Sequence, residues 1–269
     1  MEEQQMIVIK GAGDLASGVA VRLTHCGYQI VMTDLPHPTS IRRTVCFSDA
    51  ILKGAFTVED VTAESANTID EIETIHKKGH IAVLADPKAA CIPVLRPEVV
   101  VDAILAKRNC GTSIHDAPAV IALGPGFTAG TDCHAVIETM RGHDLGRVIL
   151  NGPAEPNTGI PGNISGFTTE RVLRAPKDGT FTEMHHIGDM VTKGEAVAEV
   201  DGEPILAPLS GVIRGLLPTG TPVYKGMKSG DIDPRSVLEH CYTVSDKARA
   251  IGGGVLEAIL MLQRRNKHV

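Results

Sequence analysis

The stretch MIVIKGAGDLASGVAVRLTHCGYQIVMTD, residues 6–34, decides how the first half of the chain is read. Met6 to Lys10 is a short apolar run, and glycines follow at positions 11 and 13. From Asp14 to Cys26, Leu15, Val19 and Leu23 recur at four-residue steps, the spacing of one helix face. Gly27 is placed to cap that helix. Tyr28 to Thr33 reads as a second strand ending at Asp34. Strand, glycine turn, helix and strand together predict a βαβ opening.

Further along, Pro36, His37 and Pro38 break regular structure. Ala66 to Lys78 carries Ile69, Ile72 and Ile75 at helical spacing and is stopped by Gly79. His80–Ala85, Glu98–Ala103 and Ala119–Leu123 read as strands. The alternation predicts an α/β Rossmann-like N-terminal domain over residues 1–165. It closes in the Pro- and Gly-rich stretch GPAEPNTGIPGNISG, residues 152–166, which reads as a linker or long loop.

Beyond it lies an internal repeat with an offset of 32 residues. Ala175-Pro176 and Gly179 match Ala207-Pro208 and Gly211; Gly188, Val191 and Lys193-Gly194 match Gly220, Val223 and Lys225-Gly226. One copy cannot bury its own apolar face, so the two are expected to pair. The pattern resembles the barrel-sandwich hybrid of biotinyl and lipoyl carriers and predicts a small all-β module over residues 166–235. The joint between the copies, Glu199 to Pro204, has no Lys to modify, so a carrier role is not expected. Residues 236–269 are expected to form a C-terminal helical segment, its helix starting after Gly252-Gly253-Gly254.

Composition narrows the function. The net charge is -6 with no basic block, which argues against a nucleic-acid partner. Aromatic residues are 3% with no Trp, so stacking platforms are poorly supplied. The acidic start MEEQQM is unlike a signal peptide, and no apolar run is long enough to span a bilayer. The six Cys form no CxxC pair and read as reduced thiols of a cytoplasmic protein.

Four motifs carry chemistry. Gly11, Gly13 and Gly18 between strand and helix suit a phosphate at a helix N-terminus, and Asp34 would reach a ribose diol. Asp14 beside that phosphate would repel it unless paired; the alternative is a turn that binds nothing. Gly124, Gly126 and Gly130 follow a strand and suit either an anion nest or a plain turn. Cys133, with His134 and Arg141 nearby, suits a reactive thiol or a soft ligand. If this segment is a strand, Cys133 and His134 face opposite ways. Lys247, Arg249 and Gly252 to Gly254 suit an anion site or a flexible hinge. No metal site is assigned.

Five stretches resemble a known family: GAGDLASGVA (11–20), TDLPHPTSIRRTV (33–45), VVVDAILAKRN (99–109), LGPGFTAGTDCHAVIETMRGHDLGRV (123–148), and GMKSGDIDPR with SDKARAIGGGVLEAIL near the end. They are similar, nearly end to end, to the YqeB-type accessory family of the selenium-dependent molybdenum hydroxylase system. The resemblance implies a cytoplasmic protein that serves the maturation of molybdenum hydroxylases carrying a labile selenium ligand. Together with the Gly-rich loops and the Cys/His/Arg cluster, it motivates the hypothesis that molybdenum cofactor, including its cytosine dinucleotide form, binds at Gly11, Gly13 and the Gly124–Gly130 loop. Cys133 would then deliver or protect selenium, with His134 and Arg141 tuning it. The β-module would dock the hydroxylase or another maturation protein, and a homo-oligomer is compatible with this. Two alternatives stand beside it: an NAD(P)-dependent oxidoreductase using the same βαβ unit, and a non-catalytic scaffold.

Overall fold

The computed structural model describes residues 5–266. The acidic start before Gln5 and the last three residues lie outside the described residues. The chain divides into two compact units.

The first unit is assembled from residues up to Pro38, Cys46–Asn157, and Val244 onward. It opens with β1 (Met6–Lys10), α1 (Asp14–His25) and β2 (Gln29–Thr33), as the spacing predicts. Then come α2 (Asp49–Lys53), β3 (Ala55–Val58), β4 (Val61–Ala66), α3 (Asp70–Lys77), β5 (Ile81–Leu84) and α4 (Ile92–Leu95). They are followed by β6 (Val99–Asp102), β7 (Ala119–Leu123), β8 (Thr128–Ala129), β9 (Ala135–Ile137), β10 (Val148–Ile149) and β11 (Gly152–Pro153). Nine strands form one sheet in the order β10-β9-β7-β6-β1-β2-β5-β4-β3, and β8 pairs with β11 apart from it. The inner strands are parallel and covered on both faces. Val8, Val31, Val100 and Val120 are all fully buried, which explains why these strands read as unbroken apolar runs.

This sheet corrects the Rossmann-like expectation. It is mixed: antiparallel strands close both edges, β3 against β4 and β10 against β9. The β3–β4 hairpin turns on Glu59-Asp60, with Glu59 at φ 56; β4 ends at Ala66, and the helix predicted from Ala66 begins at Asp70. A Glu-Asp turn lacks the Asn-Gly or Asp-Gly signature of a tight hairpin, so the sequence does not announce it.

The last element, α5 (Asp246–Asn266), belongs to this unit and is no separate segment. Gly252, Gly253 and Gly254 lie inside it, where a hinge before it was one expectation. Gly254 is small because a Cβ there would run into the carbonyl oxygen of Gly146. Gly252 lies against α1, its Cβ position 3.2 Å from the Gly18 carbonyl oxygen.

The second unit comprises Thr39–Val45 and Thr158–Thr243. Its strands are β12 (Val172–Arg174), β13 (Gly179–Glu183), β14 (Met190–Val191), β15 (Ala196–Val200), β16 (Glu203–Leu206), β17 (Gly211–Leu216), β18 (Pro222–Val223) and β19 (Lys228–Asp233). The repeat is visible in the pairing. β14 of the first copy pairs with β17 of the second, and β18 of the second pairs with β13 of the first. The result is two open four-stranded antiparallel sheets, β12-β19-β17-β14 and β16-β15-β13-β18, around Phe181, Val197, Val212 and Ile232. This corrects the expected biotinyl- or lipoyl-like barrel-sandwich hybrid. The two sheets do not close on themselves, and residues 39–45, far away in sequence, complete the unit: the Leu216 N–H donates to the Ile41 carbonyl at 2.9 Å.

Candidate functional site

The carboxyl ends of the parallel strands gather the polar groups of the first unit. In sheet order they bring Glu138 after β9, Gly124 after β7, Asp102 closing β6, Lys10 closing β1 and Asp34 after β2. β1 has β2 on one side and β6 on the other, so the connections part there. Open α/β sheets bind ligands in the crevice at such a point.

At its floor sits a triad that sequence reading missed. Lys10, Asp102 and Thr112 are 4%, 1% and 5% exposed. The Lys10 ammonium donates to Thr112 Oγ1 at 2.5 Å, and that hydroxyl donates to Asp102 Oδ2 at 2.5 Å. Lys10 and Asp102 are 3.7 Å apart. Charges this buried persist only when paired. The available signal was a Lys and an Asp, each closing an otherwise apolar strand.

The glycine turn is built differently from a bare phosphate loop. Gly11 has φ +96, and a Cβ on it would stand 2.9 Å from the Ala103 carbonyl oxygen. Close backbone approach therefore requires that glycine. Gly13 is the extended N-cap of α1. Asp34 accepts the Ala12 N–H at 2.8 Å and the Leu35 N–H at 2.7 Å, so its carboxylate holds the turn. Burial pushes its pKa up, against the pull of those two N–H groups. Gly18 lies on the face of α1 that meets α5, away from the turn.

Three cations, Lys107, Arg141 and Lys247, influence one another's charge near the start of α5. Lys247 stands in the first turn of α5. Its pKa is lowered by partial burial and then by the nearby charges of Lys107 and Arg141, while Asp14 and Glu138 oppose this. Partial burial also lowers Lys107, again opposed by Glu138. Glu138 is 2% exposed and held on all sides: Oε1 accepts the N–H groups of Thr139 and Met140 at 2.7 Å each, and Oε2 that of Glu155 at 2.8 Å. Arg141 grips Asp246 with two hydrogen bonds of 2.6 and 2.7 Å. Lys107, Arg141 and Lys247 thus stand among the carboxylates of Asp14, Glu138 and Asp246, close to the N-termini of α1 and α5, which favour negative charge.

The 124–130 loop serves this cluster from behind. Gly126, at φ +110, lets the Arg108 backbone approach; a Cβ there would stand 2.6 Å from Arg108 N. Gly124 makes room for Thr139. The N–H groups of Gly124, Thr128 and Gly130 donate to Ile137, Asp132 and Cys133. Those amides are thus spent on the segment that follows and on β9, while Gly126 lets the backbone next to Lys107 approach the loop.

Cys133, His134 and Arg141 are not brought together. Cys133 is fully buried in the core, and burial with Asp132 nearby pushes its pKa up to about 12, so it is a neutral thiol. His134 precedes β9 at the amino end of the sheet, while Arg141 follows that strand's other end. Its Nδ1 accepts the Val120 N–H at 2.9 Å, and burial lowers its pKa. It lines a separate cleft of about 550 Å3 with His115 and Arg96. The exposed thiols are Cys26 and Cys110. Among the described residues no group of three or more His, Cys, Asp or Glu is placed to hold a metal ion. No described helix is long and apolar enough to cross a membrane.

A mixed α/β sheet whose carboxyl edge gathers charged and polar residues is the class that fold and site define. By sequence the chain matches a YqeB-type protein. It is 53% identical over 261 residues to the uncharacterized protein YqeB of Escherichia coli (strain K12), covering 97% of this chain and 48% of that one. The chain thus spans about half the length of the curated relative it matches. No family model matches it. Among solved structures it is similar to an aspartoacylase family protein from Mesorhizobium loti, at 12% identity and a TM-score of 0.29, over 86% of this chain and 85% of that one. A succinylglutamate desuccinylase from Silicibacter sp. TM1040 follows at 13% identity and a TM-score of 0.24, over 85% and 84%. Likeness at this level transfers no chemistry.

Proposed function

We propose that the chain is an accessory protein that binds a phosphate-bearing cofactor at the carboxyl edge of its sheet, and that molybdenum cofactor awaiting insertion into a hydroxylase is that ligand. The observation that carries this reading is that the Arg141–Asp246 pair and Lys247 stand at the N-terminus of α5, with Lys107 near enough for its charge to act on Lys247. The residues suit the group: the cations and helix ends would hold its phosphate, and the Gly11–Gly13 turn allows close approach. The bound cofactor would supply the metal chemistry. Lys107 and Lys247 would orient the cofactor, and Glu138 would keep the two ammonium groups in place while the site is loaded and emptied. Buried Cys133 fits poorly with a role in selenium delivery, so holding the cofactor is the part of the resemblance-based reading carried forward. An NAD(P)-dependent oxidoreductase would use the same edge.

The test is native mass spectrometry of the chain offered molybdopterin cytosine dinucleotide, NAD and NADP in competition. Retention of the molybdenum cofactor, lost in Lys107→Ala/Lys247→Ala, is the expected result. Retention of NAD or NADP would move the oxidoreductase to first place. Retention of nothing would leave the scaffold.

A further inference from the structure

A second cleft opens along the same edge of the sheet. Its volume is about 450 Å3, and it lies at the carboxyl ends of β4 and β5. β2 separates these strands from β1, and the Asp34 N–H donates to the Leu84 carbonyl at 3.0 Å. Asp34 therefore touches the glycine turn through its carboxylate and the rim of the cleft through its backbone.

The lining chemistry differs sharply from that of the cation cluster. Ile51 and Leu84 supply apolar wall, and Asn67 and Thr68 supply neutral hydrogen-bonding groups. Among the described residues that line it, Asp86 carries the only charge, and its Oδ2 is fixed by accepting the Cys91 N–H at 2.9 Å. A phosphate here would meet a carboxylate with no cation to offset it. A flat neutral ring carrying an amino group meets the opposite conditions. Its faces lie on apolar wall, its N–H donates to Asp86, and its ring acceptor takes a hydrogen from Asn67 or Thr68.

We infer that this cleft binds the base of a nucleotide, one bearing an exocyclic amine such as cytosine or adenine. The inference rests on the phosphate site proposed above and deepens it: the ligand is a nucleotide form of the cofactor and not the bare monophosphate. From the Gly11–Gly13 turn after β1 to the ends of β5 and β4 is two to three strand intervals, about 10–14 Å, and Lys107, after β6, lies on the far side of that turn; a base in the cleft and phosphates at the turn therefore need a nucleoside between them.

The experiment is calorimetric titration of the chain with CDP, ADP, UDP and inorganic pyrophosphate. The proteins compared are the unaltered chain, Ala90→Trp, Asp86→Asn and Lys247→Ala. Ala90 is an exposed residue of the cleft, so Trp there fills the cleft without entering the core; equal melting temperatures check this. CDP or ADP is expected to bind about tenfold or more tightly than pyrophosphate, about 1.4 kcal/mol. Ala90→Trp should remove that advantage and leave pyrophosphate binding as it was, and Asp86→Asn should narrow the preference over UDP. Equal binding of CDP, ADP and pyrophosphate would overturn the base site, as would an advantage that survives Ala90→Trp. If pyrophosphate binds and Lys247→Ala abolishes it, the phosphate site stands whatever the base does. If no probe binds, both readings fall.

Discussion

Gly18 lies directly against Ala248: a Cβ on Gly18 would stand 2.6 Å from the Ala248 Cβ and 3.0 Å from Val244. This contact sets how closely α1 and α5 pack, and both helices begin at the candidate site. Gly18→Ala therefore forces the helices apart, although Ala is the better helix former. The expected cost is about 1–3 kcal/mol, the usual range for overpacking. Gly253→Ala is the control, since a Cβ there meets nothing within 4 Å. It should stabilise by about 0.5–1 kcal/mol through helix propensity alone. Urea unfolding of both variants checks the pair, and shifts of the same sign would refute the packing argument.

Thiol labelling should divide the six cysteines in two. Cys26 and Cys110 are exposed, while Cys46, Cys91, Cys133 and Cys241 are buried. Burial and Asp86 push Cys91 up to about 12, as burial and Asp132 do for Cys133. At pH 8 a maleimide should label two residues quickly and the rest only on unfolding. Peptide mapping reads the result. Rapid labelling of Cys133 in the folded chain would restore it as a reactive group.

These two predictions also mark how far the sequence could be read. The βαβ opening was legible because Leu15, Val19 and Leu23 keep one spacing and Gly11 and Gly13 interrupt it. The repeat was legible because Gly179 and Gly211 start equivalent strands. What the sequence concealed is long-range. Gly18 has the place of a phosphate-loop glycine but answers to Ala248, 230 residues away in a helix whose three glycines look like a hinge. Cys133 and Arg141 are close in sequence but follow a strand to its two ends. Lys107 and Lys247, 140 residues apart, come within each other's electrostatic influence only through tertiary packing, which no local pattern encodes.

Asp233 should make the second unit sensitive to acid. It is fully buried. Burial raises its pKa, but the hydrogen bonds and charge of Arg235, with Arg214 3.7 Å away, outweigh this and hold it below the usual aspartate value. A depressed carboxyl pKa contributes stability above the unfolded value of about 3.9, lost as pH falls through the lower folded value. Asp233→Asn is expected to cost about 3 kcal/mol at pH 7, because two guanidinium groups lose the carboxylate they share. That deficit should shrink between pH 4 and pH 2. Denaturant midpoints at several pH values measure it, and a deficit that stays constant with pH would show that charge is not the cause.

Thr112 should matter more than its small size suggests. Its hydroxyl is the one atom bridging Lys10 and Asp102, accepting from the first and donating to the second at 2.5 Å each. Val has nearly the same shape and cannot do either. Thr112→Val leaves an ammonium and a carboxylate 3.7 Å apart in a buried setting, each short of a hydrogen bond. The expected loss is about 1–3 kcal/mol, the desolvation penalty of buried groups left unsatisfied. Thr112→Ser keeps the hydroxyl and should recover most of that loss, which separates the hydrogen bonds from the methyl packing. Thermal unfolding of the two variants side by side provides the measurement. If Ser is as damaging as Val, the bridge is not what holds Lys10 at the end of β1.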